Sequence, residues 1–231
     1  MGQINVVGIE YALSDGRVLL SDVSFRVGEG SKVALIGPNG SGKTTLFRMI
    51  AGDITADSGQ IIINGGLGVM RQFIGSIRDE STVRDLLISV SPLRIRQAAQ
   101  KLKDAESEME ANNSERQQMA YAQALADWGD AGGYEQEVLW DIAVNNALAK
   151  SFDRVSDRLV NSLSGGEQKK LVLEVLLSGP EEVLILDEPD NYLDVPAKRW
   201  LEEQIRISKK TILFISHDRE LLAATATKVV T

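Results

Sequence analysis

Residues Gly37–Thr45, "GPNGSGKTT", carry glycines, a lysine and hydroxyls at the spacing G-x-x-x-x-G-K-[ST]. Gly37, Gly40 and Gly42 let a backbone wrap phosphates and aim its N–H groups at them, with Asn39, Ser41 and Thr45 as further contacts. Lys43 reaches the terminal phosphates, and the Thr44 hydroxyl suits Mg²⁺. The stretch follows an apolar run and precedes a helix, where positive helix potential favours an anion. A second stretch, "VLILDEPD", ends four apolar residues in Asp187 and Glu188. Asp187 suits Mg²⁺ through water. Glu188 is placed to polarise a water that attacks phosphate. His217, the only histidine, closes "TILFIS" on the next strand and is placed to contact a γ-phosphate. Gln72, after the short apolar stretch in "GVMRQFIG", is a candidate for γ-phosphate or Mg²⁺ contact. Tyr11 offers an aromatic face for a base; its other reading is core.

A third stretch, "NSLSGGEQKK" (Asn161–Lys170), also resembles a phosphate loop at a helix start. One chain thus carries two phosphate-type loops, which raises the question of whose phosphate the second one holds.

The elements that must position these residues are legible in outline. "VLLSDVSFRV" (18–27), "SKVALIGPNG" (31–40) and "SGQIIINGG" (58–66) read as strands, and a helix from Lys43 stops near Gly52. After Gly165 come a helix to about Ser178, the strand "EVLILDEPD", a helix near 197–208 and the strand "KKTILFISHD". Strand–helix alternation predicts an α/β fold with a mostly parallel sheet and active residues at its carboxyl edge. Between residues 91 and 162 the pattern turns helical. Ile95, Ala98, Leu102, Ala105 and Met109 form a narrow stripe among balanced charges. Ser114 and Gln117 have the form of a capping box opening a helix from Glu115 to about Trp128, and a third helix runs from about Tyr134 to Lys150.

The chain has 231 residues, no cysteine and a net charge of −8. Disulfides and cysteine-held zinc are excluded, a reducing compartment fits, and nucleic-acid binding by the whole surface is disfavoured. No segment approaches 18 uninterrupted apolar residues, so no direct membrane insertion is expected.

Together these residues resemble the ATP-binding cassette (ABC) family over nearly the whole chain. The ordered landmarks are Tyr11, "GPNGSGKTT" (Walker A), Gln72 (Q-loop), "LSGGE" (signature), "LILDEP" (Walker B, with catalytic Glu188), "NYLD" (D-loop) and His217 (switch). The resemblance implies a single nucleotide-binding domain over residues 1–231, with an N-terminal antiparallel β subdomain and an inserted helical, arm-like subdomain at 91–162. It implies ATP and Mg²⁺ as cofactors, hydrolysis of ATP to ADP and phosphate, and a second cassette for full activity. In such pairs the signature of one cassette closes over ATP held by the other. Ser164, Gly165, Gly166 and Glu167 are then contacts to a partner's nucleotide.

"SHDREL" (216–221), "LDEPDNYLD" and the helical insert further resemble the ABC-F class of twin-cassette ATPases that act on ribosomes. The class wording L-D-E-P-T-N-H-L-D differs here at Asp190 and Tyr192. The signature helix, "EQKKLVLEVLL", lacks the arginine and alanines more usual in the family. The expectation is the first half of a cytoplasmic ABC-F protein whose full-length form meets ribosomal RNA in translation or antibiotic resistance. The alternative is the ATP-binding subunit of a membrane transporter. A split-cassette chromosome or DNA-repair ATPase is disfavoured, since no long coiled coil interrupts the chain.

Overall fold

A computed structural model describes residues 2–231. Along the chain lie β1 (Gln3–Ala12), β2 (Val18–Val27), β3 (Lys32–Leu35), α1 (Lys43–Ile50), β4 (Ser58–Asn64) and β5 (Leu67–Met70). Four helices follow: α2 (Val83–Val90), α3 (Leu93–Ala111), α4 (Glu115–Asp130) and α5 (Gly133–Leu148). The chain ends with α6 (Gly165–Ser178), β6 (Val183–Asp187), α7 (Val195–Ile207), β7 (Thr211–Ile215), α8 (Arg219–Thr225) and β8 (Lys228–Val230). It divides into two compact units: residues 1–77 with 164–231, and residues 78–163.

The first unit contains both sheets. β2, β1 and β4 form an antiparallel sheet, and β5-β6-β7-β3-β8 form a sheet whose neighbours all run parallel. Every residue of β3, β6 and β7 is buried. Continuous apolar runs such as "VLIL" and "ILFI" suit strands covered on both faces. Ile185, Leu213 and Ile215 join Phe47, Met49 and Ile50 of α1 and Ile4, Val6 and Ile9 of β1 in one core. The P-loop helix is thereby anchored to the sheet that carries the acids.

The helical unit has its own core. Trp140 lies 6.2 Å from Trp128 and 5.5 Å from Phe152 between ring centroids, and the Arg84 guanidinium stands 4.9 Å over the Phe152 ring. α3 packs on α4, with Ile95, Ala98 and Ala99 buried. This unit starts at Arg78, ahead of the expected boundary at residue 91. The cause is α2, whose Val83, Leu86, Leu87 and Val90 are buried and whose Thr82 and Asp85 form a full capping box. The capping box expected at Ser114 does not form. Ser114 is the N-cap, but its hydroxyl meets the Gln117 side chain, and neither reaches the backbone N–H groups.

Candidate nucleotide site

β5, β6, β7 and β3 are adjacent, and their carboxyl ends lead into Gln72, Asp187–Glu188, His217 and the Gly37–Thr45 loop. In the loop, Gly42 is the N-cap of α1 at φ 91°. A Cβ there would also stand 2.7 Å from Leu20 Cδ2, so conformation and space both demand glycine. The Lys43 ammonium donates to the carbonyls of Gly37 and Pro38, each at 2.8 Å. Ser41 N donates to Pro38 O at 3.3 Å, closing the turn.

A cleft of about 400 Å³ opens here. Asn39, Gly40, Gly42, Lys43, Thr44 and Thr45 line it together with Gln72, Glu188 and His217. The Walker A, Q-loop, Walker B and switch positions therefore converge. Tyr11 does not line the cleft. It is half-buried against the core, and Leu13, Arg17 and Leu19 line the cleft on that side. β1 is irregular against β2 between Val6 and Ile9, Ile9 and Tyr11, and Tyr11 and Ala12. Each irregularity resets which face a side chain occupies.

The acids differ in environment. Asp187 is buried, and burial pushes its carboxyl up to about 6; Glu188 adds to the rise, while Lys169, the Thr44 hydroxyl and Lys43 oppose it. Glu188 has φ 49°, left-handed for a non-glycine residue. Its Oε1 lies 3.7 Å from His217 Nε2, and its Oε2 accepts from the Asn191 amide. In the sequence Asn191 stands out only as part of the D-loop stretch "NYLD", and Lys169 is given no role there. Lys169 is wholly buried, and its ammonium donates to the Glu188 carbonyl. Burial pulls this lysine down to about 8, against the attraction of Asp190, Glu188 and Asp187.

Thr44, Gln72 and Asp187, the three expected metal contacts, all line a second, apolar cavity of about 280 Å³. No group of three or more His, Cys, Asp or Glu suited to a metal occurs among the described residues. One hydroxyl, one amide and one desolvated carboxylate still fit Mg²⁺, which is commonly held by one or two protein oxygens, waters and substrate phosphates.

The signature stretch is built differently from the P-loop. Ser164 is the N-cap of α6: its Oγ accepts from Glu167 N at 3.2 Å, and Glu167 Oε2 accepts from Ser164 N at 2.8 Å. Glu167, expected as a nucleotide contact, thus turns its carboxylate back onto the helix start. The S-x-x-E spacing of "SGGE" signals this reciprocal cap in the sequence. Gly165 and Gly166 are packed closely within this chain. A Cβ on Gly165 would stand 2.6 Å from Gly75 O, and one on Gly166 would stand 2.9 Å from Tyr192 O. None of Ser164, Gly165, Gly166 or Glu167 lines the cleft over the P-loop.

The profile of the ABC transporter family matches residues 20–191. An "Antibiotic resistance protein" of Mycobacteroides abscessus is 60% identical over 231 residues, which is all of this chain and 42% of that protein. The "Tylosin resistance ATP-binding protein TlrC" of Streptomyces fradiae is 35% identical over 90% of this chain and 38% of its own length. The "ATP-binding protein Uup" of Escherichia coli is 33% identical over 93% of this chain and 28% of its own length. The chain therefore spans less than half the length of these relatives, and the likeness agrees with an ABC-F cassette. A solved inward-facing structure of a putative metal-chelate type ABC transporter superposes with a TM-score of 0.64 at 18% identity, over 99% of this chain and 79% of that one. That likeness concerns the fold alone. No helix among the described residues is long and apolar enough to cross a membrane. With most of its length inside the family profile, the chain belongs to the ABC transporter family, as one of its ATP-binding, ATP-hydrolysing cassettes.

Proposed function

We propose that this cassette is one half of an ABC-F type ATPase that acts on the ribosome in the cytoplasm and protects it from antibiotics. The observation that carries the reading is the 60% identity, over the entire chain, to a relative named as an antibiotic resistance protein. The tylosin-resistance relative supports it at lower identity.

In this reading the P-loop N–H groups and Lys43 hold the phosphates of ATP, and Leu13, Arg17 and Leu19 stand where its base would lie. Thr44, Asp187 and Gln72 would hold Mg²⁺, which would supply charge stabilisation to the transferred phosphoryl group. Glu188 accepts the proton of the attacking water, and its carboxylate is oriented by Asn191. His217, beside Glu188, senses the γ-phosphate. Ser164, Gly165 and Gly166 lie outside the cleft of their own chain, which supports a role on nucleotide held by a second cassette.

Cosedimentation of the longer protein carrying Glu188→Gln with ribosomes tests the reading. ATP-dependent pelleting is the expected result, and its absence with ATP still bound overturns ribosome action. The transporter reading draws on one feature, the apolar cavity beside Gln72, with Phe73 exposed at its rim, where a permease segment would dock. Copurification with a permease would select it.

A further inference from the structure

Glu188 sits where a non-glycine residue does not rest unaided. A left-handed φ is unfavourable for a residue with a Cβ. Three groups hold it: Glu188 N donates to Ile215 O at 2.9 Å, Asn191 N donates to Glu188 O at 3.3 Å, and the Lys169 ammonium donates to the same carbonyl. The first two belong to the adjoining strand and loop. The third comes from α6, a different element 19 residues away along the chain, and it is a full charge with no exposed surface.

We propose that Lys169 is a positioning residue for hydrolysis: its ammonium fixes the backbone of Glu188 and so ties the aim of the catalytic carboxylate to the signature helix of the same cassette. This rests on the reading of Glu188 as the acceptor of the water proton. The signature helix and the catalytic acid then form one mechanical piece. Asp190 balances the charge of the buried ammonium. It is buried, accepts from Ser216 Oγ at 2.7 Å, and is the strongest of the three carboxylate attractions on Lys169. The Tyr192 ring adds a second tie, since a Cβ on Gly165 would stand 3.1 Å from its Cδ1. Asp190 and Tyr192 are the two positions where the loop departs from the class wording. Both departures are directed at α6, one through charge and one through packing.

A lysine deletion alone would strand the buried Asp190, and an unpaired buried charge is itself destabilising. The test therefore uses three variants of the longer protein with ATPase kinetics and melting curves: Lys169→Met, Asp190→Asn, and the two combined. Lys169→Met is expected to lower kcat roughly 10- to 100-fold, as misplacement of a reacting group does, with the KM for ATP within about twofold of wild type. The combined variant is expected to recover the melting temperature lost by Lys169→Met and to keep the low kcat. Asp190→Asn, which retains the lysine–carbonyl bond, is expected to keep kcat within about threefold. Wild-type kcat in Lys169→Met, or recovery of kcat along with stability in the combined variant, overturns the proposal, because Lys169 would then only balance Asp190. A loss of kcat in Asp190→Asn as deep as in Lys169→Met overturns it as well. Glu188→Gln run in parallel separates the two levels: wild-type turnover there removes the reading of Glu188, whereas a silent Lys169→Met beside an inactive Glu188→Gln removes only the role of the lysine.

Discussion

The two edges of the parallel sheet use the same device for different ends. At the amino edge, Lys32 is buried and donates to the carbonyls of Gly30, Ser208 and Lys210 at 2.7–2.9 Å. Lys210 donates to the carbonyls of Leu176 and Gly179 at 2.8 and 2.7 Å. Burial lowers both lysines, and only Lys210 has acids, Glu181 and Glu182, pulling it back. At the carboxyl edge, Lys169 also donates to a carbonyl, but that carbonyl belongs to Glu188 and three acids surround the ammonium. A buried ammonium on carbonyls braces converging loops wherever it occurs. Beside the paired acids, the same brace bears on residues that react. Substitutions of the residues braced at the carboxyl edge should therefore lower turnover, whatever they do to stability, whereas substitutions at the amino edge should lower stability alone.

The largest contrast is expected from Glu188→Gln. Removing a general base lowers turnover by about 10²–10⁴-fold. Nucleotide binding should persist, because the P-loop is untouched, and single-turnover measurements with labelled ATP separate the two. Wild-type turnover would remove Glu188 from the chemistry and the carboxyl edge from its side of the comparison.

Lys43→Ala comes next. A hydrogen bond to a charged group contributes about 1.5–3 kcal/mol, so ATP affinity should fall roughly 10- to 150-fold. Titration with a fluorescent ATP analogue reads it. The fold should hold, since the ammonium's hydrogen bonds go to carbonyls of its own loop, at Gly37 and Pro38.

Lys32→Met tests the opposite edge. It leaves three carbonyls without their common donor, at a cost of about 1–3 kcal/mol for buried groups left unsatisfied. Chemical denaturation should report that loss, while kcat per folded molecule stays within about twofold. A turnover defect at equal stability would mean that the amino edge communicates with the site and that the separation of roles is false.

The sequence carried the carboxyl edge better than its supports. β2 matches the expected strand at both ends, and α6 starts and stops where its glycines and length predict. Walker A, Gln72, Glu188 and His217 converge because each follows a strand, and strand order does the rest. What stayed hidden depends on through-space facts. Tyr11 has two readings, base and core, and the irregularities of β1 that govern which way it faces leave no mark in the sequence. Lys169 looked like one more charge on a helix, since nothing local says that the face it occupies is covered. The caps at Thr82–Asp85 and Ser164–Glu167 were legible in principle as x-x spacings, and the latter was obscured by its likeness to a phosphate loop. Conversely, Ser114–Gln117 has cap spacing without a cap, because the two side chains satisfy each other.

Asp218 tests the comparison most finely, because it is an acid at the chemical edge with structural partners. It follows His217, caps α8 by accepting from Glu220 N at 2.9 Å and Leu221 N at 3.2 Å, and accepts from Lys198 Nζ at 2.7 Å. Its own N–H donates to Ser216 Oγ, which in turn holds Asp190. The Lys198 bond first, and then the two backbone N–H groups, hold its carboxyl below the ordinary range. A lowered carboxylate stabilises the fold at pH values above its unfolded pKa of about 3.9, and that contribution disappears as the pH falls through the folded value. Asp218→Ala should thus cost about 1 kcal/mol at neutral pH, chiefly the lost cap. The gap to wild type should begin to close as the pH falls below about 4 and vanish only below the lowered folded value, where the wild-type carboxyl is itself protonated. Melting curves across pH read both, and kcat at neutral pH should stay within about threefold. If instead kcat falls while the melting temperature is unchanged, the chain from Asp218 through Ser216 to Asp190 belongs to the chemistry, and the carboxyl edge reaches one helix further than the cleft that it lines.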